Sequence, residues 1–174
     1  IADIATLVEV SRQHSAWLMI DDAHGVGVLG DNASGCVGNT WSSKDVPILV
    51  GTLGKALGTA GAFVAGDTEL IDHLIQFSRS YVYTTAQPPA ISAATLKALE
   101  IVQGEPERRA QLNANIAYFR REALHLGLAL SDSATPIQPL ILGEEVRTLS
   151  WAVQLQQQGI QVGAIRPPTV PKGE

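Results

Sequence analysis

One cysteine, Cys36, is all that the 174 residues contain, which excludes an internal disulfide framework and a multi-cysteine zinc site. Cys36 stands in DNASGCVGNTWSSKD, a stretch of turn formers without a nearby His, and reads as an ordinary loop thiol rather than an activated nucleophile. Basic residues are short as well. Twelve Lys and Arg against 17 Asp and Glu leave a net charge of −5 with no Lys/Arg block, so the electrostatic footprint of a nucleic-acid binder is missing. No apolar run reaches the roughly 18 residues that a membrane span needs. The opening IADIATLVEV has neither the basic start nor the small-residue cleavage site of a secretion signal. Internal repeats and low-complexity segments are also lacking. The expectation from these absences is a soluble, cytoplasmic protein whose partner is a small molecule, with neither nucleic acid nor membrane among its ligands.

What is present is apolar substance: 45% of residues are hydrophobic, enough for one sizeable core or for one core and part of another. The first residue is not Met, and the last segment, RPPTVPKGE, follows a strand-and-turn pattern rather than a closing helix, so the chain is expected to be a piece of a longer one.

Ile4, Leu7 and Val8 share one helical face, and AWLMIDD then forms a short apolar run that ends in acid. Two more apolar runs, PILVGTL and AGAFVAG, predict buried strands, and the helix after them carries Leu70, Ile71, Leu74 and Ile75. The short step between the second and third strands is compatible with an antiparallel pair, while the alternation of helix and strand elsewhere argues for a mostly parallel α/β sheet with helices on both faces. Ligands of such sheets bind beyond the carboxyl ends of the strands. A helix is predicted after Pro89 and another with Leu112, Ile116, Phe119 and Ala123 on its apolar face, separated by the breaker-rich QGEPE. A domain boundary is placed near Gly104, giving 1–104 and 105–174. In the second part IQPLILG and IQVGAI read as strands around a helix in EEVRTLSWAVQLQQQG, with Val146, Leu149 and Val153 facing inward.

Chemistry concentrates at two strand ends. At the first, Asp21, Asp22 and His24 follow buried apolar residues, and such groups are costly to bury without partners. They read as a hydrogen-bonded loop acid and histidine, as a functional pair, or as a metal site of Asp21, Asp22 and His24, although further ligands at a convincing spacing are absent. The second, GTLGKALG, encloses Lys55 between glycines that allow close backbone approach. It is not a nucleotide phosphate loop, because Ala56 follows the lysine and no glycine stands at the required distance. Against a solvated surface lysine stands its position between two buried strands, which fits an amine nucleophile.

An amine and a carboxylate are what pyridoxal phosphate needs, the first for its Schiff base and the second to keep the pyridine nitrogen protonated. In DDAHGVGVLG, GTLGKALG and YVYTTAQPPA the chain resembles the fold-type I pyridoxal-phosphate enzymes, and among them the α-oxoamine synthases, over essentially its whole length. The resemblance implies that 1–104 is the second half of the cofactor-binding large domain and 105–174 the start of a small C-terminal domain. It implies that Asp21 pairs with the pyridinium nitrogen, His24 contacts the ring's phenolic oxygen, Thr52 contacts the phosphate and Lys55 forms the Schiff base and acts as acid–base. Thr85 is implied to reach the phosphate of a neighbouring subunit, which makes a homodimer part of the expectation; the alternative for Thr85 is a helix-capping turn before Pro88.

The segments SATPIQPLILG and AIRPPTVP resemble most those members that join L-alanine to a pimeloyl thioester, carried by coenzyme A or an acyl carrier protein. Arg166 then becomes the clamp for the substrate carboxylate, since a planar guanidinium binds a carboxylate bidentately, although an arginine before two prolines can also be merely exposed. Rival readings are an α-oxoamine synthase for glycine or serine, a metal hydrolase built on the carboxylates and histidine, and a non-catalytic binding module that keeps the fold.

Overall fold

A computed structural model describes residues 1–173. The chain divides into two compact units, the first covering Ile1–Gln111 and the second beginning at Leu112.

The first unit opens with α1 (Ile4–Gln13). Asp3 caps it, its Oδ1 accepting from Thr6 N–H at 3.2 Å, so one of the orphan donors of the first turn is satisfied. Ile4 and Val8, one turn apart, are buried and form a core with Val37 and Val46, against which Leu18, Ile20, Trp41 and Leu49 pack. Full burial of a side chain the size of Val8 contributes about 1.5–3 kcal/mol. The helix ends at His14, and Ser15 turns the chain with a positive φ of 49°.

Three strands follow, β1 (Met19–Asp21), β2 (Ile48–Thr52) and β3 (Ala62–Ala65), in spatial order β1-β2-β3. β1 and β2 are parallel, with Met19 opposite Ile48 and Asp21 opposite Val50. β2 and β3 are antiparallel, with Thr52 opposite Ala62, so the short step between them is a reversal of direction. Gly51 is glycine because the Phe63 ring of the facing strand lies where its Cβ would stand. A 3-10 turn (Asp31–Ala33) lies between β1 and β2, helices α2 (Thr68–Phe77), α3 (Arg79–Val82) and α4 (Pro89–Gly104) follow β3, and α5 (Pro106–His125) begins after a short break at Glu105. The α4–α5 break falls where QGEPE stands, while the division into compact units falls later, within α5.

In the second unit Leu112, Ile116 and Ala123 are covered to differing degrees, but Phe119 is 47% exposed and the stripe runs through Arg120 instead. Arg120 Nη1 lies 2.9 Å from each of Ser131 O, Ser133 O and Gln138 Oε1, tying α5 to the segment that follows it. Of the expected strand in IQPLILG, only an isolated antiparallel bridge between Leu130 and Leu140 forms. The expected strand IQVGAI does not form, because no neighbouring strand hydrogen-bonds to it among the described residues. Helix α6 (Glu145–Gln157) does form, but on another face than expected. Thr148, Trp151, Ala152 and Leu155 are its covered residues, and Val146, Leu149 and Val153 are exposed. Both sets have helical spacing, so the choice between them belongs to what packs nearby rather than to periodicity.

Candidate active site

The parallel pairing of β1 with β2 brings the two chemical motifs to one end of the sheet. Asp21 is the last residue of β1 and stands opposite Val50, so its carboxylate emerges at the edge from which Thr52 and the lysine loop continue. Asp21 Oδ1 accepts from Ala23 N–H at 3.0 Å, which holds the carboxylate at the strand end while the residue stays exposed. His24 is also exposed, in a turn closed by Gly25 N–H and Val26 N–H donating to Asp22 O at 3.0 and 3.1 Å. The two loops meet. A Cβ on Gly27, whose φ is +84°, would lie 2.8 Å from the Ala56 Cβ, so the glycine admits the residue beside Lys55 at close range.

The lysine loop is held from within. Leu53 N–H donates to Gly61 O at 2.9 Å, Gly58 N–H to Lys55 O at 2.9 Å, and Thr59 N–H to Leu53 O at 2.9 Å. The Thr59 and Thr95 hydroxyls lie 2.9 Å apart, one donating to the other, which ties the loop to α4. Lys55 itself is exposed. Thr52 Oγ1 is buried without a hydrogen-bond partner, the one such side-chain atom among the described residues. An unsatisfied buried hydroxyl is unfavourable by itself and marks a place where a ligand acceptor fits.

Thr85 is exposed in the segment between α3 and α4. It does not cap α4, whose N-cap is Pro88 without a side-chain bond, so the capping alternative falls. The same segment approaches the lysine loop through Gln87, whose Nε2 occupies the space a Cβ on Gly61 would take. Arg166 belongs to the second unit, where its Nε lies 3.3 Å from Glu145 Oε1 and both side chains are about half exposed. The guanidinium is thus paired rather than idle.

Asp21, Asp22 and His24, the three residues of the metal alternative, are not brought together. Among the described residues no group of three His, Cys, Asp or Glu side chains is arranged to hold an ion, and Asp22 is turned into the interior at 3% exposure while Asp21 and His24 are exposed. Sequence reasoning missed the buried role of Asp22; the signal for it lies in two glycines further along the chain, Gly25 and Gly35, where a Cβ would fall on its carboxylate. Cys36 is half-buried, and its thiol is pushed up to about 11 by burial first and then by the hydrogen bond and charge of Asp22, which suits an unactivated thiol.

The Aminotransferase class I and II family model matches residues 1–173. The chain belongs to that family. Known proteins are similar to it at several distances. The 8-amino-7-oxononanoate synthase of Chromohalobacter salexigens is 63% identical over 174 residues, covering 100% of this chain and 45% of that protein. The crystal structure of 8-amino-7-oxononanoate synthase from Francisella tularensis superposes with a TM-score of 0.82 at 34% identity, over 94% of this chain and 49% of that one. A structure of serine palmitoyltransferase with PLP internal aldimine gives a TM-score of 0.91 at 25% identity, over 99% of this chain and 44% of that one. The chain therefore spans about half the length of the relatives it matches, and the α/β architecture of the aminotransferase class I and II family is the setting of its strand-end site. No helix among the described residues is long and apolar enough to cross a membrane.

Proposed function

We propose that this chain carries the cofactor lysine of a pyridoxal-phosphate-dependent enzyme that condenses L-alanine with a pimeloyl thioester to give 8-amino-7-oxononanoate, in biotin synthesis. The observation that carries the reading is the parallel β1–β2 pair, which delivers a carboxylate, an imidazole, an unpartnered threonine hydroxyl and a lysine to one sheet end. The residues present fit the cofactor: Thr52 Oγ1 lacks a partner that a phosphate oxygen supplies, and Asp21 is the anion a pyridinium nitrogen requires.

When bound, the cofactor supplies an electron sink for the negative charge that develops at the amino acid's α-carbon. The chain's residues do the rest. Lys55 Nζ would hold the cofactor, and as the free amine it would take up the α-proton of alanine. Asp21 would keep the ring nitrogen of the bound cofactor protonated, and His24 would orient the ring. Arg166 receives the alanine carboxylate, for which it must exchange its contact with Glu145. A carbon–carbon bond forms between the alanine α-carbon and the thioester carbonyl as the thiolate of coenzyme A or an acyl carrier protein leaves; the bond to the alanine carboxylate then breaks, carbon dioxide departs, and the electron pair left on the α-carbon takes up the proton held by Lys55 Nζ. The enzyme acts in the cytoplasm as a homodimer, with Thr85 offered to the phosphate in the neighbouring subunit. Exposed Tyr81 and Tyr83 beside Thr85, 61% and 80% exposed, support a partner surface there.

The test uses the full-length protein with pyridoxal phosphate. A visible cofactor band, trapped by borohydride on the peptide containing Lys55 and absent from Lys55→Ala, is expected. Alanine is expected to shift the band, and pimeloyl-coenzyme A to release free thiol and 8-amino-7-oxononanoate. A folded parent with no trapped Lys55 would sink the cofactor reading. A trapped Lys55 with turnover only of glycine or serine, or of another acyl thioester, would move the enzyme elsewhere among the α-oxoamine synthases.

A further inference from the structure

Asp22 is the buried charged residue among those described, at 3% exposure, directly after the exposed Asp21. A carboxylate withdrawn from water is costly unless it is hydrogen-bonded, so its surroundings carry information. Cys36 N–H donates to Asp22 Oδ2 at 2.7 Å, closing a loop that includes His24. Gly25 and Gly35 face the same carboxylate, and a Cβ on either would fall on one of its oxygens. Neither position can be anything larger while the carboxylate stays where it is.

The backbone of Asp22 completes the arrangement. Its N–H donates to Val50 O at 2.8 Å, carrying the β1–β2 pairing one residue beyond the strand. Its C=O accepts from Gly25 and Val26, which folds the turn that bears His24. One residue is therefore bonded to the sheet, to the near side of the loop and, through its side chain, to the far side.

We infer that Asp22 is the positioning residue of the strand-end site: its buried carboxylate, wedged between Gly25 and Gly35 and bonded to Cys36 N–H, fixes the turn that presents His24 beside Asp21. It acts through the loop and touches no reacting atom. The inference rests on the reading of Asp21 and His24 as cofactor-holding groups. Burial first, and then the hydrogen bond and charge of Asp22, push the Cys36 thiol pKa up.

The test compares the full-length parent with Asp22→Ala and Asp22→Asn, first without and then with pyridoxal phosphate. Without cofactor, hydrogen exchange at the Cys36 amide and alkylation of the Cys36 thiol, both mapped to the peptide, report the loop. Loss of a charge-assisted hydrogen bond in Asp22→Ala is expected to speed both by about tenfold or more. Asp22→Asn keeps an acceptor for Cys36 N–H but not the charge, so it should retain much of the amide protection while its thiol alkylates faster than the parent's. With cofactor, Asp22→Ala is expected to bind pyridoxal phosphate about tenfold more weakly while Lys55 remains trappable, and Asp22→Asn to fall between. If Asp22→Ala does not fold, Asp22→Asn decides: exchange at the Cys36 amide and cofactor affinity that are both parent-like overturn the inference. Weakened cofactor binding with a parent-like loop also overturns it, because the effect then does not pass through the turn. A parent that binds no pyridoxal phosphate removes the cofactor reading and the positioning role with it, while the loop measurements still decide whether Asp22 holds the turn.

Discussion

Replacing Gly27 by alanine tests whether the meeting of the histidine turn and the lysine loop matters to the site. At φ +84° an L side chain is strained, which costs about 1–2 kcal/mol. The new Cβ would also lie 2.8 Å from the Ala56 Cβ, against a carbon–carbon optimum of about 3.5–4.0 Å, so one loop must retreat by most of an ångström. Overpacking of that kind costs a further 1–3 kcal/mol, roughly, and the smaller entropy of an unfolded chain with Ala returns about 0.4–1 kcal/mol. The net is about 1.5–4 kcal/mol of destabilisation. Gly58→Ala is the control, because its φ is +63° but nothing lies within 4 Å of the Cβ position, leaving strain without a clash. Denaturant unfolding of the full-length variants gives the two losses, and spectral titration with pyridoxal phosphate gives cofactor affinity. Gly27→Ala is expected to lose about 1–3 kcal/mol more than Gly58→Ala and to bind the cofactor more weakly, since Ala56 adjoins Lys55. Equal losses in the two variants would refute the steric argument, and an unchanged cofactor affinity in Gly27→Ala would refute the transmission from one loop to the other.

Thr52→Val removes the unpartnered buried hydroxyl, so without cofactor it should be as stable as the parent or up to about 1 kcal/mol more stable, while pyridoxal phosphate affinity drops by about tenfold; a clear loss of apo stability in thermal unfolding would contradict the orphaned state of Oγ1. Asp45, bonded to Ser42 and paired with Arg12, has its carboxyl lowered from 3.8 to about 2. A depressed folded value means that the stabilisation is fully present above the ordinary value and is lost as pH falls through about 2, so Asp45→Asn should flatten the parent's loss of stability between those values; parallel acid-unfolding curves, read by tryptophan fluorescence, would refute it. Arg120→Ala removes the bonds to three oxygens in the second unit and should destabilise by about 3 kcal/mol, with Arg120→Lys recovering part of it; a loss under about 0.5 kcal/mol in denaturant unfolding would show that those oxygens find other partners.

By itself the sequence determined the order and kind of the main elements up to α5, the helix α6, and which residues are candidates for the chemistry. Apolar runs of strand length end in Asp21 and in the Gly51–Gly58 motif, and because ligands of such sheets bind beyond strand ends, Asp21, His24 and Lys55 stood out as candidates before any fold was known, while Thr52 entered through the family resemblance. Tertiary structure decided what depends on a neighbour. The parallel register brought Asp21 and the lysine loop to one end of the sheet, and hydrogen bonding made β1, β2 and β3 strands while leaving IQVGAI without a strand partner among the described residues. Packing chose the Thr148, Trp151, Ala152 and Leu155 face of α6 over Val146, Leu149 and Val153, although both sets repeat with the helix. Two adjacent aspartates look alike in a sequence, yet one emerges at the strand end and the other turns inward between two glycines. Local pattern fixes the conformations a segment favours, but a side chain's burial and bonding are set by residues far away in sequence, which only the folded chain brings near.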